Sequence, residues 1–90
     1  MPTDNVVFIG KKPLMTYVMA VMTHFNSGSQ EVIVKARGLS IRKAVDVAEV
    51  VCNRFMPEAK KKDVQISTEK IQNEDGRTSN VSSIEIFLTT

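Results

Sequence analysis

Residues 31–55 read Glu-Val-Ile-Val-Lys-Ala-Arg-Gly-Leu-Ser-Ile-Arg-Lys-Ala-Val-Asp-Val-Ala-Glu-Val-Val-Cys-Asn-Arg-Phe. Within one stretch they predict a strand, a tight turn and a helix. Glu31 to Ala36 has the β-branched run of a strand. Arg37-Gly38-Leu39 is the connection, and Gly38 permits a positive φ or a close approach of another backbone. Ser40 is a good helix N-cap. Ile41, Ala44, Val45, Ala48, Val51 and Phe55 then recur at three- and four-residue spacing, the stripe of an amphipathic helix. Pro57 stops it.

The same alternation extends in both directions. Upstream, Val6-Val7-Phe8-Ile9, closed by Gly10, reads as a buried strand. Pro13 suits a first helical position. Leu14, Val18, Val21, Met22 and Phe25 follow at helical spacing, Met15 and Met19 widen the stripe, and Asn26-Ser27-Gly28-Ser29 is stop chemistry. Downstream, Glu58 to Asp63 is a polar connector. Val64, Ile66 and Thr68 alternate with polar residues, as in a strand with one wet face. Asp75-Gly76, inside Asn73 to Arg77, is a hairpin signal. A last strand runs near Val81 to Leu88, with Ile84, Ile86 and Leu88 on one face and Glu85 and Phe87 on the other. The predicted order is β-α-β-α-β-β, a single-domain α/β two-layer sandwich over residues 1–90 with two helices on a mixed four-stranded sheet.

Composition bounds the function. The chain has 90 residues, 42% hydrophobic and 24% charged, which excludes disorder or a coiled coil as a description of the whole. No apolar run approaches the roughly 20 residues of a membrane helix. Met1-Pro2-Thr3-Asp4 lacks the order of a secretory leader. Cys52, the lone cysteine, cannot form an internal disulfide, and the expected compartment is a reducing cytosol. One His and one Cys are too few for a metal site or a catalytic constellation, so neither enzyme, metal nor cofactor is expected. Cys52 reads as a small half-buried hydrophobe.

Charge is unevenly placed. The net value is +2. Residues 5–43 carry Lys11, Lys12, Lys35, Arg37, Arg42 and Lys43 against Glu31 alone, whereas residues 44–90 carry six bases and eight acids. Lys11-Lys12 and Arg42-Lys43 both stand at predicted helix starts, where the helix dipole is positive and bases are unfavourable. One such cluster alone would read as solvated lysines. Two, with Lys35 and Arg37 alongside, read as a surface that expects phosphate from outside. Arg77 beside Glu74 and Asp75 reads by itself as a plain exposed turn, and Lys60-Lys61-Lys62 as a solvated connector.

The segments Asn5 to Pro13 (with Gly-Lys-Lys-Pro), Lys35-Ala-Arg-Gly38, Lys43-Ala-Val-Asp46, Asn53-Arg-Phe55, Asp75-Gly-Arg77 and Val81 to Ile86 closely resemble the archaeal Alba chromatin proteins, in order, from Asn5 to Leu88. The resemblance implies an Alba-like β-α-β-α-β-β domain and a homodimer that binds double-stranded DNA, and RNA, with little sequence preference. It implies a nucleic-acid face with Lys11 and Lys12 at its centre and Arg37 and the hairpin residue Arg77 contributing, to which the charge at the second helix start adds Arg42 and Lys43. It further implies Lys11 as an acetylation target, Phe55 as a dimer-to-dimer contact along DNA, and a place in cytoplasm and nucleoid. Leu39, Cys52 and Asn80 stand where family members often carry a base, which implies lower affinity or greater salt sensitivity. Two alternatives stay open: a protein primarily of RNA, as ribonucleoprotein subunit or RNA stabiliser, and an assembly module without nucleic acid.

Overall fold

A computed structural model describes residues 5–90. The reading of Met1 to Asp4 lies outside them. The elements are β1 (Val6–Phe8), α1 (Leu14–Asn26), β2 (Glu31–Arg37), α2 (Ile41–Val50), β3 (Lys60–Gln72) and β4 (Thr78–Thr89). A 3₁₀ turn (Gly38–Ser40) leads into α2 and a π turn (Val51–Phe55) follows it. The sheet order is β1-β2-β4-β3. β1 pairs parallel with β2, and β4 runs antiparallel between β2 and β3. Strands β1, β2 and β3 therefore point the same way.

One sheet face carries the core. Val7, Val32, Val34, Ala36, Ile84, Ile86 and Leu88 are buried against Val18, Val21 and Phe25 of α1 and Ala44, Val47 and Ala48 of α2. Among the described residues the other face has no second layer. Strand alternation accordingly turns Phe8 outward, 70% exposed, so β1 is buried on one face only and not on both as its apolar run suggested. Of the five aromatics, Tyr17 and Phe25 are in the core. Phe87 is half-buried on the open face and Phe55 is 44% exposed.

Both helix starts differ from their predicted chemistry. Pro13 is the N-cap of α1, with ψ 152°, one position ahead of the first helical residue. Ser40 caps nothing through its side chain: it ends the 3₁₀ turn in helical geometry, and α2 grows out of that turn. Gly38 does take the positive φ expected, 57°. The α2 stripe is shifted too, with Val47 buried and Val45 41% exposed. Met15 and Met19 likewise point outward, because one sheet covers only a narrow stripe of α1. At the C-terminus of α1 the stop signal is realised fully. Gly28, at φ 103°, donates its N–H to Phe25 O, and Ser29 donates to His24 O, the paired bonds of a glycine-terminated helix end.

The Glu58 to Asp63 connector is shorter than predicted. Lys60 already pairs with Thr89, and a bulge between Lys61 and Asp63 opens the register. Lys61 then reaches Glu49 of α2 at 2.9 Å and Lys62 reaches Glu31 at 3.7 Å, so two of the three lysines are used in ion pairs. Lys61 holds the Glu49 carboxyl below its ordinary value. Cys52 is half-buried, and burial pushes its thiol up.

Candidate nucleic-acid interface

Three parallel strands gather the basic segments at one sheet edge. The Lys11–Lys12 loop leaves the C-terminal end of β1, Arg37 is the last residue of β2, and the hairpin leaves the C-terminal end of β3. Each helix starts at this same edge because it follows one of these strands. Neither has an acidic residue in its first turn, so both positive dipole ends are left without an internal counter-charge.

The Lys11–Lys12 loop is fixed by two side chains. Tyr17 Oη accepts the N–H of Gly10 at 2.9 Å and of Lys12 at 3.1 Å. Lys43 Nζ donates to Gly10 O at 3.3 Å and to Lys12 O at 2.7 Å. Lys11 and Lys12 themselves are exposed. Neither they nor Arg42, exposed in the first turn of α2, have a carboxylate partner among the described residues. Lys43 differs. It is only half-exposed, its ammonium is committed to main-chain oxygens, and it lies 5.9 Å from the Tyr17 ring centroid.

Arg37 is at the expected edge but on the open face of the sheet, within 3.5 Å of Glu69. The β2-β4-β3 register brings Glu69 to it from across the sheet. Lys35 is paired with Glu85 at 2.9 Å. Between these pairs and Phe8 lies a groove of about 630 Å³. Its cations are balanced by carboxylates, so it is electrostatically distinct from the loop at the strand ends.

The β3–β4 hairpin forms an arm. Its ladder continues past the level where Arg37 faces Ser83 and Ser83 faces Ser67. Five more residues to Gln72, at roughly 3.3 Å each, carry it about 17 Å further. The tip is tied by Asn73, whose N–H donates to Arg77 O at 2.7 Å, and by Asp75, which accepts the Arg77 N–H at 3.0 Å. Gly76 supplies φ 85°. Arg77 extends from the tip, with Asp75 at 3.7 Å. The sequence reading missed Lys70, exposed on the arm opposite Asn80. It continues the face of Val64, Ile66 and Thr68, where the alternation gave no sign of a base, and it becomes visible once the strand is known to reach that far. Phe55 lies in the turn after α2, at the far end of that helix from the basic edge.

These features define a class: a helix-on-sheet α/β sandwich with a basic loop and a projecting β-arm at one edge. Comparison with known proteins narrows it. The Alba family profile matches residues 5–72. A relative named DNA/RNA-binding protein Alba 1, from Archaeoglobus fulgidus, is 59% identical over 94% of this chain and 94% of its own length. DNA/RNA-binding protein Alba from Methanocella arvoryzae is 56% identical over 98% of this chain and 92% of its own. The solved structure of Alba from Thermoplasma volcanium superposes with a TM-score of 0.90 at 52% identity, covering 96% of this chain and 100% of that one. The chain belongs to the Alba family. Its relatives are named as binding proteins and not as enzymes.

Proposed function

We propose that the protein binds double-stranded DNA and RNA as a homodimer, through backbone phosphates and with little sequence preference, and that it organises the nucleoid. The observation that carries the reading is the single edge where the exposed Lys11, Lys12 and Arg42 meet two helix starts and a projecting hairpin. Phosphates fit such an edge because helix dipoles and ammonium groups both favour anions there. Arg37 and Arg77 extend the surface once their weak, exposed carboxylate contacts are exchanged for phosphate. The names of the relatives, DNA/RNA-binding protein Alba, support both DNA and RNA as partners.

Support for a dimer comes from an uncovered apolar strip on the helix side. Val64 and Ile66 face the same way as their partners Ile86 and Ile84, yet are 46% and 74% exposed. The Lys61–Glu49 pair places α2 alongside β3, and Val45, one helical turn before Glu49, borders the same strip. β3 is also an edge strand of 13 residues. Its bulge and three of its lysines guard its beginning, the stretch from Val64 to Ser67 carries no charge, and a long open edge of this kind favours a second chain. Further parts of the reading are Phe55 as a contact between dimers and the exposed Lys11 ammonium as an acetylation target whose neutralisation weakens binding.

The test is Lys11→Glu combined with Lys12→Glu. Duplex DNA affinity should fall by at least about 100-fold. Thermal unfolding should move by less than about 3 °C, because both side chains are at the surface. Unchanged binding by this pair reassigns the site.

A further inference from the structure

We propose that Tyr17 and Lys43 are positioning residues that set the Lys11–Lys12 loop for its polyanion, and that Lys43 is not a phosphate ligand. The inference rests on the reading that Lys11 and Lys12 grip phosphate. It assigns a different task to a lysine whose place in the first turn of α2 would otherwise mark it as a third gripping base.

The geometry is complete in itself. Gly10 and Lys12 flank Lys11, and between them they present two main-chain N–H groups and two carbonyls. Tyr17 Oη accepts both N–H groups, at 2.9 and 3.1 Å, and Lys43 Nζ donates to both carbonyls, at 3.3 and 2.7 Å. A tyrosine hydroxyl has two lone pairs to offer and an ammonium three donors, so each side chain can serve two partners. Tyr17 is anchored in the core at 8% exposure, which makes it a fixed post. A side chain at Gly10 would crowd this contact: its Cβ would stand 3.2 Å from the Tyr17 hydroxyl.

A connection between strand and helix ordinarily bonds to water and moves. Here the four polar groups on either side of Lys11 are held by the protein. The loop enters the encounter already ordered, so less freedom is lost on binding. The Lys43 ammonium, turned onto Gly10 O and Lys12 O, also meets partial negative charge there and not the positive end of α2.

The experiment measures duplex DNA affinity over a salt series, with main-chain amide exchange followed by NMR, for the full chain and for Tyr17→Phe and Lys43→Met. Tyr17→Phe removes no charge. It should weaken binding about tenfold at unchanged salt slope, and the Gly10 and Lys12 amides should exchange faster while Val32 and Val34 in β2 do not. Wild-type affinity in Tyr17→Phe, or unaltered exchange at Gly10 and Lys12, overturns the role of Tyr17. Should Tyr17→Phe fail to fold, Lys43→Met still decides: weaker binding at an unchanged slope supports positioning. A slope reduced by about 0.9 per subunit makes Lys43 a phosphate ligand and overturns its assignment. Full binding by Lys11→Glu with Lys12→Glu removes the underlying reading instead. The two failures are distinguishable, because amide exchange reports the Tyr17 clamp whether or not nucleic acid binds.

Discussion

Arg37 shows how a single residue is balanced between the fold and its partner. Its guanidinium is exposed and lies 3.5 Å from Glu69. Exposed pairs of this kind contribute about 0–1 kcal/mol, so phosphate can compete for it. Glu69→Gln should therefore raise duplex DNA affinity by about two- to fivefold at low salt, measured by fluorescence anisotropy. Unchanged or weaker binding would mean that Arg37 takes no part. Arg37 and Lys43 also mark what could and could not be read from sequence at this scale. Residue type and position along the chain placed both at the basic edge. Their partners were hidden, because Glu69 is 32 residues from Arg37, and Gly10 and Lys12 are 33 and 31 residues from Lys43. Such meetings are set by register and helix placement, which no local pattern encodes.

At the scale of elements, punctuation was more legible than burial. The Gly28 stop, the Gly38 turn and the Asp75-Gly76 hairpin all appear where turn chemistry put them. Gly28 is the cleanest case, at φ 103° with nothing within 4 Å of the place a Cβ would occupy. Gly28→Ala should cost about 1 kcal/mol through backbone conformation alone, lowering Tm by roughly 4–8 °C for a domain of this size. An unchanged Tm in calorimetry would show that the α1 stop does not depend on that conformation. Burial was misread where the number of layers mattered. Phe8 and Val45 belong to apolar stripes, yet only one sheet face and a narrow part of each helix are covered. The length of the β3–β4 arm was also underestimated. Glu69, Lys70, Gln72, Ser79 and Asn80 there carry little strand signal, and cross-strand pairing overrides weak propensity.

At the scale of the whole molecule, the extents of 44 × 28 × 19 Å reflect a sandwich with an arm extending from it. The arm has helix cover only near its base, and in the proposed dimer the strip of Val45, Val64 and Ile66 is where a second copy would supply the missing burial. Ile66→Asp should convert a dimer to a monomer in light scattering at micromolar concentration, since a buried unpaired carboxylate opposes association. A dimer of unchanged mass would place the interface elsewhere. The proposed dimer would also set the scale of nucleic-acid binding, because it would double the number of bases facing the backbone. The central claim, that affinity comes from phosphate neutralisation at the edge where the helices begin, is tested most directly by titrating duplex DNA across a range of salt concentrations. With six to ten phosphates neutralised per dimer, log K should fall against log salt with a slope of about −5 to −9. An affinity that does not change with salt would contradict it.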